Sequence, residues 1–120
     1  MKAATRSEIE PRLRVRSGEF IALGPGKVDL LELVHRTGSI TNAAKAMGMS
    51  YMRAWSLIRT MNLCFKTPVV IAERGGKKGG GSARLTVTGI QVARLYRQME
   101  KETKKAVVKT FLKMQRDLKS

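Results

Sequence analysis

The side chains with the most chemistry to offer lie between positions 41 and 84. Ser50, Tyr51, Arg53, Ser56 and Arg59 recur at helical spacing. Arg74, Lys77, Lys78 and Arg84 occupy or flank the run Gly75-Gly76-Lys77-Lys78-Gly79-Gly80-Gly81. Hydroxyls and cations in such patterns hydrogen-bond to phosphates, and a guanidinium also fits a guanine edge with paired bonds worth about 1–3 kcal/mol of discrimination. Thr41 and Asn42 begin another helical segment, where phosphate contacts are common. Bond-breaking chemistry has no comparable set. One histidine, His35, and one cysteine, Cys64, make neither a disulfide nor a Cys/His zinc site. No paired carboxylates or nucleophile–base pair appear, so neither an enzyme nor a bound metal or cofactor is expected.

Charge supports that direction. The chain of 120 residues carries 24 Lys and Arg against 9 Asp and Glu, a formal net charge of +15. Such an excess opposes compaction and points to a polyanionic partner. Its distribution is uneven. Residues 19–49 hold three basic and three acidic groups, whereas residues 50–84 hold seven and one, and residues 85–120 nine and three. Hydrophobic residues make up 42%, enough for the core of one domain. No apolar run approaches the roughly 20 residues that span a bilayer, and the first ten residues lack a secretory signal, so a cytoplasmic protein is expected.

The elements that must position these side chains follow from periodicity. Leu13 and Val15 alternate with arginines, and Phe20 to Leu23 continue an N-terminal strand that Ser17-Gly18 turns or bulges. Pro25 leads a helix whose Val28, Leu30, Leu31, Leu33 and Val34 share a broad face, and Gly38 ends it. Ser39 caps a short second helix to about Met47, with Ala43, Ala44 and Ala46 permitting close approach. After Gly48, Ser50 caps a third helix bearing Met52, Trp55, Ile58 or Leu57, and Met61 as its apolar stripe. Strand-like pieces at 69–74 and 82–87 enclose the glycine-rich tip as a hairpin. Thr88 is expected to cap a last helix that runs unbroken to Leu118, on the order of 45 Å for about 30 residues. Its stripe of Val92, Leu95 or Tyr96, Met99, Thr103, Ala106 or Val107, Phe111, Met114 and Leu118 is longer than one small domain covers, which predicts packing on a second copy. The predicted fold is mainly α with a small β-hairpin: a winged helix-turn-helix with an N-terminal strand and a long C-terminal dimerisation helix. Residues 1–11 are read as a flexible N-terminus, 12–87 as the winged domain and 88–120 as the dimerisation helix.

These residues resemble a known family. Gly24-Pro25-Gly26-Lys27, then Gly38-Ser39-Ile40-Thr41-Asn42-Ala43-Ala44, Met49-Ser50-Tyr51 and Ala54-Trp55 look like the N-terminal DNA-binding domain of the ModE family, a relative of the LysR-type winged helix. Glu73-Arg74-Gly75-Gly76 through Leu85-Thr86-Val87-Thr88-Gly89 is similar to that family's wing. The match covers about residues 12–99. It implies double-stranded DNA binding and homodimerisation. Molybdate-sensing members carry oxyanion-binding domains after the long helix, and this sequence ends at Ser120. A stand-alone module without molybdate binding is therefore expected, with any effector on a separate sensor subunit.

Each candidate also has a plainer role. The third helix, residues 50–62, is expected in the major groove, with Arg53 on a base and Arg59 on phosphate or in an internal salt bridge; the alternative is a solvated face. The tip lacks the Gly-Lys-Ser/Thr order of a nucleotide-binding loop. A cationic wing over residues 74–84 fits it better, and a plain loop is the alternative. Trp55 is read as core, His35 as structural, Cys64 as a small buried hydrophobe and Ser39 as a cap. The lysines after 100 suit the outside of a coiled dimer, a DNA backbone or an acidic membrane surface. The leading reading is a homodimeric, sequence-specific transcriptional regulator. A non-specific nucleoid-associated or RNA-binding protein is the alternative, although 5% aromatic content disfavours a base-stacking platform.

Overall fold

Glycines and hydroxyl caps divide the first half of the chain into short elements. The computed structural model describes residues 6–73 and 81–119. Strands β1 (Val15–Ser17) and β2 (Phe20–Leu23) pair antiparallel, with Arg16 opposite Ile21 and a register shift between Val15 and Arg16. The expected N-terminal strand is thus a hairpin. Gly18 reverses the chain, which lets the arginine-rich half satisfy the backbone of the apolar half.

Helix α1 (Pro25–Thr37) starts on Pro25, whose missing N–H costs nothing at that position. Gly38 ends it at φ +70°, donating its N–H to the Val34 carbonyl at 2.8 Å. Ser39 then caps α2 (Ile40–Ala46), its hydroxyl accepting from the Asn42 N–H at 3.1 Å. Gly48, at φ +67°, turns the chain so that Ser50 caps α3 (Tyr51–Cys64) by accepting from the Arg53 N–H at 3.1 Å.

Strands β3 (Val70–Glu73) and β4 (Ser82–Leu85) form the second hairpin, with Val70 opposite Leu85 and Glu73 opposite Ser82. The Ala83 N–H donates to the Gly38 carbonyl at 2.9 Å, tying this hairpin to the α1–α2 corner. Helix α4 (Val87–Gln115) follows. Its cap is Thr86 and not Thr88: the Thr86 hydroxyl accepts from the Gly89 N–H at 2.9 Å and donates to the Pro68 carbonyl at 2.6 Å. Thr88 lies within the first turn, its hydroxyl 2.6 Å from that of Thr67. Gly89 is buried because α4 crosses the Val69 backbone here. A Cβ at Gly89 would overlap the Val69 carbonyl.

The core joins all these elements. Val28, Leu30, Leu31 and Val34 of α1 meet Ile40, Ala43 and Ala44 of α2, then Ala54, Ile58 and Met61 of α3. Val69, Val70, Ala83, Leu85, Ala93 and Tyr96 close the far side. Each fully buried Leu or Ile is worth ~1.5–3 kcal/mol relative to exposure. Ala46, expected among the close-packing alanines, is exposed, and Cys64 is only half buried. Part of the segment expected to be a flexible N-terminus is described. From Ser7 to Val15 alternate residues are half-buried; the Gln115 amide donates to the Ser7 hydroxyl at 3.0 Å, and the Tyr96 hydroxyl donates to the Leu13 carbonyl at 2.9 Å. The fold is a winged helix-turn-helix extended by a long helix, with overall extents of 59 × 40 × 23 Å.

Candidate nucleic-acid interface

Helix α3 buries one narrow line, Ala54, Ile58 and Met61, flanked by half-buried Leu57, Thr60, Asn62 and Cys64, and exposes the rest. Arg53, Ser56 and Arg59 all face solvent, as do Tyr51 and Met52. No carboxylate occurs between Ser50 and Cys64. The ion pairs found among the described residues all converge on Arg97, so none engages Arg53, Arg59 or Arg84. The internal salt bridge considered for Arg59 does not form among these residues.

The stripe read from the sequence is corrected here. Met52 is 69% exposed and Trp55 37%. The helix lies with small Ala54 against the core, rotating both larger side chains outward. A pattern weighted by side-chain size misses that choice.

Neighbouring elements frame this helix. Ile40 and Thr41 of α2, Tyr51 of α3, and Ala72, Glu73, Ser82 and Ala83 of the hairpin line one recess of about 310 Å³. Thr41 and Asn42 are both exposed, and the Asn42 N–H is committed to the Ser39 cap. The Ser50 hydroxyl is likewise committed as an acceptor, which leaves its proton to donate. Arg84 projects outward between buried Ala83 and Leu85. Arg74, Lys77 and Lys78 lie outside the described residues.

One positioning residue escaped the sequence reading. The Asn62 carboxamide oxygen accepts from the Val69 N–H at 2.8 Å and the Val70 N–H at 3.2 Å, and its NH₂ donates to the Val70 carbonyl at 3.1 Å. A single side chain thereby fixes the root of the hairpin to the end of α3. The available signal was a polar residue beside buried Ile58 and Met61 on the same helix.

Electrostatics on the opposite flank differ. Arg97 of α4 binds Asp29 at 2.6 Å, Glu32 at 2.7 Å and Glu100 at 3.0 Å. Hydrogen bonding to Glu32, above all, raises the already high pKa of this guanidinium, and the Arg97 hydrogen bond holds the Glu32 carboxyl below its ordinary value. Lys27 donates to the Ile21 carbonyl, and burial lowers its pKa. Burial likewise raises the Tyr96 phenol.

Beyond Arg97, the single apolar stripe expected on α4 is two. Tyr96, Thr103, Val107 and Phe111 are buried or half-buried, while Leu95, Met99 and Ala106 remain exposed beside half-buried Val92. Met114 and Leu118 are exposed as well.

The Azotobacter vinelandii molybdenum transport protein ModE is 41% identical over 103 residues, covering 86% of this chain and 38% of that protein. The Escherichia coli K12 DNA-binding transcriptional dual regulator ModE is 38% identical over 89 residues, 74% of this chain and 34% of that one. The chain is ModE-like. The molybdenum-pterin-binding protein MopB of Rhodobacter capsulatus is 42% identical over 78 residues, 65% of this chain and 28% of its own. The ModE-like chain thus spans between 28% and 38% of the length of these curated relatives. No family model matches it. Among solved structures, ArgP of Mycobacterium tuberculosis superposes with a TM-score of 0.51 at 20% identity, over 72% of this chain and 30% of ArgP. At that identity the likeness bears on the fold alone.

Proposed function

We propose that this ModE-like chain is the DNA-binding part of a homodimeric transcriptional regulator, non-enzymatic, acting on double-stranded DNA in the cytoplasm. The observation that carries the reading is the outward face of α3, which presents Arg53, Ser56 and Arg59 with no carboxylate on the helix. Inserted in the major groove, Arg53 takes a guanine edge. Tyr51, Ser50 and Arg59 take phosphates, and Thr41 and Asn42 reach the backbone from α2. Arg84 and the wing residues Arg74, Lys77 and Lys78 neutralise phosphates on the adjacent groove. The exposed line of Leu95, Met99 and Ala106 on α4 supports the pairing of two copies. Half-sites then lie about 34–36 Å apart, or at a wider spacing set by α4. In this reading residues 1–11 are a leading segment, 12–87 the reader and 88–120 the dimer helix.

The named relatives tie the group to molybdenum. No group of three or more His, Cys, Asp or Glu suited to a metal occurs among the described residues. In this reading any effector is sensed by a separate subunit. No described helix is long and apolar enough to cross a membrane. The experiment is selection of fragmented genomic DNA by the purified chain, with sequencing of what is retained. A sharp motif shared by the retained fragments supports the reading. A flat profile overturns it in favour of a non-specific nucleic-acid protein.

A further inference from the structure

A reading helix built only for hydrogen bonds would not expose what α3 exposes. Tyr51 is 49% exposed, Met52 69% and Trp55 37%. Scattered apolar side chains on a surface are ordinary. These three are not scattered. Trp55 follows Tyr51 by four residues and Met52 by three, so all three adjoin on one side of the helix. They occupy its first turns, the part of a recognition helix that reaches base edges. Arg53, Ser56 and Arg59 border the patch, and no acidic residue on the helix repels a polyanion. Met52, Ser56 and Arg59 follow one another along an exposed line of the helix.

We infer that Met52, supported by Trp55, reads the C5-methyl groups of thymines in the major groove. This inference rests on the proposed function and deepens it. Thymine is the one base whose major-groove edge carries a hydrocarbon, beside its O4 acceptor. Cytosine has only a hydrogen at that carbon and carries an amine where thymine has O4, so a thioether side chain gains no methyl contact there and would strip the neighbouring amine of water. The flexible, polarisable methionine conforms to a methyl without a fixed geometry. Trp55, one turn on, walls off the contact and limits the rotamers of Met52. The guanidinium of Arg53 and the thioether of Met52 would then read adjacent, chemically different edges. Specificity at thymine positions arises from the methyl, and specificity at guanine positions from hydrogen bonds.

Removing the methyl while keeping every hydrogen-bonding group isolates the effect. Duplexes enriched from a randomised library by the full chain are resynthesised with deoxyuridine at single thymines. In each half-site at least one such replacement is expected to weaken binding about fourfold, the worth of one buried methyl. Met52→Ala removes that sensitivity, Met52→Leu retains it, and Arg53→Ala retains it while relaxing preference at guanine. Met52 is so exposed that its truncation leaves the core intact, which a circular-dichroism melt checks. A sharp selected motif with every deoxyuridine neutral overturns the methyl contact and leaves DNA recognition standing. Undiminished sensitivity in Met52→Ala also overturns it. No selected motif at all overturns both this inference and the function beneath it.

Discussion

Arg97 and Arg53 are the same side chain in opposite surroundings. On the seam between α1 and α4, Arg97 collects Asp29, Glu32 and Glu100, which is three of the nine acidic residues of the chain. On the outer face of α3, Arg53 has no carboxylate on its own helix and no ion pair among the described residues. Three of the scarce acids gather where α1 and α4 are held together, and none lies on α3, although Glu73 stands on the neighbouring hairpin. Net charge therefore understates the design. Paired arginine aligns the scaffold, and in the proposed function the unpaired one meets phosphate or a base.

The largest effect that sharpens this contrast comes from a methyl on the packed side. At Gly89 a Cβ would lie 3.0 Å from the Val69 carbonyl carbon and 3.3 Å from the Leu85 Cβ, and would overlap the Val69 oxygen. Backbone lines the collision, so no rotamer change relieves it. Gly89→Ala is expected to lower unfolding stability by ~3 kcal/mol, near the upper end for overpacking, seen as an earlier urea midpoint. The reverse operation on the docking side, Met52→Ala, leaves that midpoint unchanged. Equal midpoints for Gly89→Ala and the unmodified chain would show that α4 leaves the hairpin root freely.

The two arginines give the next test when exchanged for alanine in turn. Arg53→Ala is expected to lose about 1–3 kcal/mol of discrimination at one base position, with stability unchanged. Arg97→Ala is expected to lose ~1 kcal/mol of stability, because three carboxylates crowd without their counter-charge, with the ranking of DNA sites unchanged. Binding selection and urea titration on both variants read all four outcomes. The contrast breaks if the effects cross over, so that Arg97 alters site ranking or Arg53 alters stability.

What the sequence disclosed follows the same division. Gly38-Ser39 and Gly48-Ser50 announce helix boundaries through local chemistry, a left-handed glycine followed by a hydroxyl cap, and the structure uses both pairs in that way. Thr86 and Thr88 carry the same cap chemistry two residues apart. The Pro68 carbonyl decides between them, and sequence spacing cannot locate it. Helix α3 was legible as a helix but not in its rotation. Ala54 contributes little hydrophobicity, yet it is the residue small enough to lie against the core, and that places Trp55 outside. The Arg97 cluster was beyond reach for another reason. Asp29 and Glu32 lie 68 and 65 residues away, and only the crossing of α1 and α4 brings them together. Arg53, Ser56 and Arg59 were readable as exposed from their polarity alone, whichever way the helix turned.

The smallest effect is the pH response, and it belongs to the seam alone. Glu32 has its folded pKa depressed from the usual 4.5, chiefly by the hydrogen bond from Arg97, with burial opposing. The unfolded chain therefore takes up the proton first as pH falls. The contribution of Glu32 is complete above the ordinary carboxylate range and is lost as pH drops from about 5 through the depressed folded value. Because the Glu32 side chain is 39% exposed and Arg97 31%, solvent screening holds the loss to under ~1 kcal/mol. Glu32→Gln is expected to start less stable at neutral pH and to show a flatter decline between about pH 5 and about pH 3. Arg53→Ala, with no carboxylate on α3, should keep the full slope. Urea midpoints measured across that range give the comparison. A Glu32→Gln profile parallel to the unmodified one would mean that Arg97 is held by Asp29 and Glu100 alone, and the seam would then rest on two acids in place of three.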